Sequence, residues 1–457
     1  MLEAAGLSPT EVADWATSAP PVDAAYPAAA QATSEFLIRG EELLQRLPPR
    51  RERNDAEAEA AAELTGALDE ARSRFLRAHA EHLYAALTDD LRRAVRDEDL
   101  VYAAADLVPG LVPTRERTAA ERKLALPDKE GIEIAQGLFF SHILASERCG
   151  AHLVWAMLRP TAEALERLDD FRATGVVDLG GTYLERRGRA AYLEIRNDRY
   201  LNAEDCDTLP TTEVAVDLAL LDPGIDVGVI RGAVVSHPRY TGMRVFGAGV
   251  NLTHLYHGRV DYLFFVTRDL GYVNKLFRGL SADEHRPDEP EETTEKLWVA
   301  AVETFAIGGA CQILHTVDHV IAVRGARLFL PARKEGILPG ASNLRLPRSV
   351  GDRLARQAIL SGLEFEAGTP NGDLLIDEVV DSGDEMDAAI AARVEALSSS
   401  GLVNAAGNRR ALRVGAEPLD LFRRYMATFC REQAHCHLSP ALVDNLEQHW
   451  NAHERVL

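Results

Sequence analysis

Residues 305–318 read FAIGGACQILHTVD. A short apolar run stops at Gly308 and Gly309, and a run with helical spacing begins at once. A strand that becomes a helix through two residues without side chains leaves the first helical N–H groups open to a ligand. Such N–H groups attract negative charge. Gln312, three residues past the second glycine, is an amide and cannot serve as an ordinary acid or base.

Residues 245–252, VFGAGVNL, show the same design, and the pattern predicts a strand, a turn of small residues and a helix. Alone, either turn reads first as a tight strand-to-helix connection. Facing each other, the two would form an oxyanion hole, where each donor typically contributes ~3 kcal/mol in the transition state.

The texture on either side differs. Residues 1–175 are rich in Ala, Leu, Glu and Arg, and stretches such as 56–91 place apolar residues at helical intervals. The breaks LPPRRERND and LVPGLVPTRERT separate helices. From Val176 the run VVDLGGTYLERRGRAAYLEIRN alternates apolar and polar residues around an Arg-Gly turn, as a hairpin does. Apolar runs at 227–235 and 320–323, each followed by helix-like sequence, predict an alternating α/β domain. From Leu419 on the chain again reads as helix. The acidic, Pro-interrupted stretch 282–296, ADEHRPDEPEETTEK, reads as a solvated loop or helix lead-in. The expected organisation is a helical N-terminal domain over 1–175 and a catalytic domain over 176–457.

A chain of 457 residues, 46% hydrophobic, can bury a large core. Its formal net charge of −21 argues against nucleic acid or an anionic membrane as partner. A phosphate-bearing ligand must therefore find local arginines or helix N-termini. The five cysteines, Cys149, Cys206, Cys311, Cys430 and Cys436, form no CxxC pair and read as reduced thiols. No basic leader opens the sequence, and no run approaches the ~20 apolar residues of a spanning helix. A cytoplasmic protein is expected.

AGVNL (248–252), FAIGGACQ (305–312), DHVIA (318–322), LPGASNLRLPRSVG (338–351) and IDEVVDSGDEMDAAI (376–390) follow in this order. As an ordered set over roughly 193–395 they resemble the crotonase (enoyl-CoA hydratase/isomerase) superfamily. The resemblance implies a crotonase-like spiral of ββα units with a helical N-terminal domain and C-terminal helices. It further implies an acyl-CoA ligand, a homotrimer or hexamer, and an oxyanion hole built from the N–H groups of Val250 and Gly309. Hydratases of the family carry glutamates at two positions that correspond here to Gln312 and Ala332, so delivery of water across a double bond loses both of its carboxylates. Glu335 is nearby, but an offset of three residues does not by itself aim it into the pocket.

These departures, with the stretches RYLNAEDCDTLP (199–210), HPRYTGMRVFGAGVNLTHLYHGR (237–259) and TRDLGYVNKLFRG (267–279), resemble one branch of the superfamily, whose members oxidise an arylacetyl-CoA with O2 and no cofactor. The implied reaction takes 3,5-dihydroxyphenylacetyl-CoA and O2 to the arylglyoxylate and free CoA, without metal or flavin. It implies Glu204 and Arg268 as contacts for the ring hydroxyls, where the residues alone allow an N-cap or surface acid and a salt bridge with a neighbour such as Asp269; His237, in SHPRY, reads first as a loop histidine and is a candidate for a further substrate contact. Gln312, Val250, Leu252 and Ile337 would then line a dry place for O2. Arg239 and Arg244 are candidates for CoA phosphates, or simply solvated arginines. The sequence names no proton acceptor. Two other readings stay open: another crotonase-type acyl-CoA enzyme, a thioesterase or isomerase using Glu335 or Glu204 as base, and a non-catalytic acyl-CoA-binding protein.

His315 and His319 stand four apart and His435, Cys436 and His437 are bunched, as zinc ligands can be; but the crotonase-like pattern ends the helix near Asp318, so the first pair shares no helix face, the second set lacks a paired CxxC or HxxxH, and no metal site is expected. The apolar faces of the N-terminal helices could bind a partner, but packing on the catalytic domain accounts for them first.

Overall fold

A computed structural model describes residues 3, 5–21, 25–281, 293–399 and 402–457. It divides into two compact units that interleave along the chain. One takes the chain up to Leu153 with Leu255–Leu263 and Met426–Leu457, and the other takes Val154–His254 and Phe264–Tyr425.

The first unit is helical, as the Ala/Leu/Glu/Arg texture predicts. Its long helix Asp55–Leu87 starts at a capping box: Asn54 Oδ1 accepts from the N–H groups of Ala56 and Glu57, and the Glu57 carboxylate accepts from Asn54 N–H. That helix packs on Tyr26–Gln45 through Phe36, Leu37, Leu43, Leu64, Leu68 and Ala71. Trp15 stacks on Phe36 with ring centroids 4.6 Å apart and donates its indole N–H to Phe36 O at 2.9 Å. Gly40 permits this, because a Cβ there would lie 2.5 Å from the Trp15 ring.

Among the described residues the second unit holds twelve strands. They are β1 (Val176–Asp178), β2 (Thr182–Arg187), β3 (Ala190–Ile195), β4 (Val227–Gly232), β5 (Leu280–Ser281), β6 (Thr293–Thr294), β7 (Leu297–Val302), β8 (Phe305–Ile307), β9 (His319–Val323), β10 (Arg327–Phe329), β11 (Phe365–Glu366) and β12 (Glu378–Val380). The order β1-β2-β3-β4-β7-β9-β12 makes a seven-stranded sheet. β2 and β3 form the expected hairpin, Arg187 opposite Ala190, closed at Gly188 with φ +59°. From β3 to β12 the pairs are parallel, with Leu193, Ile230, Ala300 and Val320 in register. β7 is buried on both faces, as a central parallel strand requires.

On one face Val227, Val229, Leu297, Val299 and Ile321 pack on Met386 and Ile390 of the helix Gly383–Ser398. Each such side chain stabilises the fold by roughly 1.5–3 kcal/mol on full burial. Trp298 fills the space that Gly228 vacates, where a Cβ would lie 2.2 Å from its ring. β8 leaves this sheet and joins a smaller one, ordered β11-β10-β8, whose β8–β10 pairing is parallel.

Two expectations need correction. The strand expected at the head of 245–252 is absent, single bridges at Arg244, Gly247 and Val250 standing in its place because the glycines at 247 and 249 weaken a ladder, while the expected helix does begin at Leu252. Of the acidic stretch, 282–292 lie outside the described residues, but its end is not solvated. Thr293–Thr294 pairs with β5, and Glu295 is buried with both carboxylate oxygens accepting from Arg413. From Leu419 on the chain is helical as expected, in Leu419–His437 and Pro440–Trp450, and the helices Gly383–Ser398 and Leu402–Ala416 precede them. Among the described residues no helix is long and apolar enough to cross a membrane.

Candidate active site

The site grows from the end of β8. Gly308 has φ +54° and ψ −119°, a backbone shape that side chains exclude, and the helix Gly309–Leu314 starts directly after it. Gly249, φ +79°, meets this turn at backbone distance: a Cβ there would lie 2.9 Å from Ile307 O and 3.0 Å from Gly309 N. The two small-residue turns therefore face each other. Glu204 N–H donates to Gly249 O and Asn251 N–H to Glu204 O, each at 2.7 Å. This bridge uses the groups on either side of Val250 and turns the Val250 amide away from them. Among the described residues neither Val250 N–H nor Gly309 N–H has an acceptor.

Beside the turns lies a buried polar group centred on Arg268. Its Nε donates to both oxygens of Glu204 at 3.0 Å, and Nη2 donates to Glu204 Oε2 at 2.8 Å and to Gly309 O at 2.7 Å. Nη1 donates to Gln312 Oε1 at 2.8 Å and to Asp269 Oδ1 at 3.3 Å. The Tyr272 hydroxyl also donates to Glu204. All five N–H donors of Arg268 are thus committed to protein acceptors. Burial alone would lower the Arg268 pKa, but the charge of Glu204, with Tyr272 and Asp269, outweighs it and raises it. Asp269 is pushed up to about 6, chiefly by burial. Arg268 was expected to offer a donor to a ring hydroxyl, and it has none to spare. Glu204 receives three donors and, as a carboxylate, can accept about four.

Glu335 ends the one-turn helix Ala332–Glu335, capped by Gly336 at φ +82°. Arg333 and Lys334 are exposed, whereas Glu335 is 5% exposed. At a spacing of three it shares a helix face with Ala332. Both of its carboxylate oxygens would lie 3.9 Å from a Cβ on Gly308, so the side chain does aim at the glycine turn. It has no hydrogen-bond partner among the described residues, and burial pushes its pKa up to about 8. The pattern of two exposed basic residues followed by a glutamate and a helix-ending glycine was the signal available in the sequence.

The remaining candidates are placed as follows. Val250 and Ile337 are each 8% exposed, and Leu252 is half-buried at the start of Leu252–Tyr256. Gly340 carries no side chain against Gln312: a Cβ there would lie 2.3 Å from Gln312 Oε1. His237 joins none of these residues. It is half-buried in the loop after β4, its Nδ1 accepts from Arg239 N–H at 3.3 Å, and its ring packs on Tyr240. Arg239 is exposed; Arg244 is not simply solvated, since it donates to Glu194 at 2.6 Å. Arg244 lines an open cavity of about 650 Å³ with Arg196, Tyr200, Asp205 and His254. None of Glu204, Arg268, Gln312 or Glu335 lines it.

In that cavity His254 contacts Asp205 at 3.0 Å. Burial would raise the Asp205 pKa, but hydrogen bonds from His254 and Asn251 hold it down at about 2. His315 caps the helix Gly309–Leu314 while His319 belongs to β9, so the two do not share a helix. Among the described residues no group of three His, Cys, Asp or Glu side chains could hold a metal.

A family model described as enoyl-CoA hydratase/isomerase matches residues 291–420. A (3,5-dihydroxyphenyl)acetyl-CoA 1,2-dioxygenase of Amycolatopsis orientalis is 47% identical over 405 residues, which are 88% of this chain and 92% of that protein. A short-chain-enoyl-CoA hydratase of Clostridium acetobutylicum is 29% identical over 47% of this chain and 74% of its own length. An enoyl-CoA hydratase structure from Bacillus halodurans superposes with a TM-score of 0.48 at 19% identity, covering 59% of this chain and 99% of that one. With its facing glycine turns and a relative matched nearly end to end, the chain belongs to the crotonase, or enoyl-CoA hydratase/isomerase, family.

Proposed function

We propose that the chain is a dioxygenase that converts 3,5-dihydroxyphenylacetyl-CoA and O2 to 3,5-dihydroxyphenylglyoxylate and CoA without metal or flavin. The observation that carries this reading is the pair of open amides, Val250 and Gly309, beside a neutral Gln312 where the family's hydratases place a carboxylate. The 47% identity to the Amycolatopsis enzyme over most of both chains supports the substrate.

The two N–H groups would hold the thioester oxygen and stabilise the enolate that forms when the α-carbon loses a proton. The aryl ring delocalises the resulting carbanion, which can pass one electron to O2 directly. Collapse of the radical pair gives an α-peroxide, whose distal oxygen attacks the thioester carbonyl and expels CoA as the thiolate; loss of the second α-proton then breaks the O–O bond and leaves the ketone and the carboxylate. Both O2 atoms enter the arylglyoxylate, and the two methylene hydrogens leave as protons, one to the thiol and one to the carboxylic acid. Val250, Leu252 and Ile337 supply apolar surface for O2, and Gln312, tied to Arg268, adds no charge that would draw water.

A ring hydroxyl would donate to the one acceptor position that Arg268 and Tyr272 leave on Glu204. Arg268 acts by holding Glu204, Gln312 and Gly309 O in place. The proposal locates the chemistry in residues 176–457, with 1–175 as a helical N-terminal domain, in a cytoplasmic homotrimer or hexamer. The buried carboxyl of Glu335 favours a second reading, an acyl-CoA isomerase that moves a proton. Supplying the dihydroxyphenylacetyl thioester and, separately, an enoyl-CoA to chelator-treated protein separates the readings: O2 uptake matched by free thiol with the first supports the dioxygenase, and a shifted double bond in the second with no O2 uptake from the first supports the isomerase.

A further inference from the structure

We propose that Glu335 is the catalytic base that removes the first α-proton of the thioester. This rests on the dioxygenase reading. The proton must go to a group beside the Gly308–Gly309 turn that has an unshared acceptor, and the neighbours can be taken one by one. Glu204 is ion-paired with Arg268 and accepts from Tyr272, and the acceptor position left on it is the one assigned to the ring hydroxyl. Asp269 lies against Arg268 at 3.3 Å, and Gln312 has no basic atom to offer. His315 is half-buried, and desolvation of its ring with the charge of Arg345 pushes it down to about 3. His254 is turned to Asp205 in the separate cavity. Glu335 alone among these brings a buried carboxyl with no partner toward the turn, both oxygens 3.9 Å from the point where a Gly308 side chain would begin.

The step balances simply. The α-C–H bond breaks, its proton forms an O–H bond on Glu335, and its electron pair becomes the enolate whose oxygen sits on Val250 N–H and Gly309 N–H. No co-reactant is needed before O2 arrives. A carboxyl at about 8 is a far stronger base, once ionised, than an ordinary glutamate, and the dry surroundings that raise it also bring it closer to the pKa of a stabilised α-carbon.

The test is solvent exchange. Without O2, in D2O, the wild-type protein is expected to replace the α-hydrogens of 3,5-dihydroxyphenylacetyl-CoA by deuterium, read by mass spectrometry. Glu335→Gln should lose this exchange and aerobic O2 uptake together, each by about 10²–10⁴-fold. Glu335→Asp should retain an intermediate rate. CoA binding to the Gln variant, measured by calorimetry, should stay within about threefold of wild type, which a collapsed site would not preserve. The wild-type kcat/KM should rise with pH through about 8 and level off, a limb missing from the Gln variant. Exchange at the wild-type rate in Glu335→Gln overturns the assignment, and so does loss of O2 uptake with exchange intact, since Glu335 would then act later. A wild-type protein that neither exchanges nor consumes O2 overturns instead the dioxygenase reading on which the assignment stands.

Discussion

Arg268 has five N–H donors and all five are occupied, and that count decides how the polar end of the site works. A guanidinium so committed cannot re-aim for a ligand without breaking a buried bond. Replacing Glu204 by Gln should therefore act twice. Removing one partner of a buried pair typically costs about 3–5 kcal/mol, here lessened because Asp269, near 6 at present, ionises more readily once the Glu204 charge is gone. A melt should show a drop of about 2–3 kcal/mol. The variant should also lose more kcat/KM on the 3,5-dihydroxy substrate than on phenylacetyl-CoA, and equal losses would remove Glu204 from ring recognition. Gln312→Glu should keep the bond to Arg268 but add a charge beside Asp269 and hydrate the O2 pocket. We expect O2 uptake to fall about tenfold or more, and unchanged uptake would contradict the role of the neutral amide. Gln312 and Gly309 were legible in the sequence because they adjoin a strand-to-helix turn. The ion pair was not, since Glu204 and Arg268 stand 64 residues apart and nothing local links them.

At the scale of elements, the site is a junction: β8, the Gly308 turn and the helix Gly309–Leu314 meet the bridge between Glu204 and Val250. The junction tolerates no added atom. A Cβ on Gly309 would lie 2.6 Å from Glu204 Oε2 and 3.2 Å from Arg268 Nη2, atoms held too firmly to give way. Gly309→Ala should displace the Gly309 amide and lower kcat by about 10²–10³-fold, as loss of one oxyanion donor does. A variant that turns over at the wild-type rate would contradict the placement of that amide. The hairpin and the buried parallel strands were readable from alternation and from uninterrupted apolar runs. The turn and helix of 245–252 were readable too, but not the strand expected before them, since Gly247 and Gly249 leave only single bridges. The aim of Glu335 follows from a helix of one turn, which propensity does not mark but which puts 332 and 335 on one face.

Across the whole molecule, the two compact units are assembled from separated stretches, Leu255–Leu263 and Met426–Leu457 joining the helices of the N-terminal half. Composition read along the chain cannot show such pairing, because it registers texture and not which distant helices share a core. The net charge of −21 leaves the recognition of CoA phosphates to local groups rather than to a general field. What unites the parts is one chemical claim, that an enolate held by two backbone amides reacts with O2 directly. The most direct test supplies 3,5-dihydroxyphenylacetyl-CoA and labelled O2 to chelator-treated protein and follows O2 uptake, free thiol and the label in the product. The account predicts one O2 consumed per thiol released, with both labelled atoms in the arylglyoxylate; thiol released with no O2 consumed would contradict it.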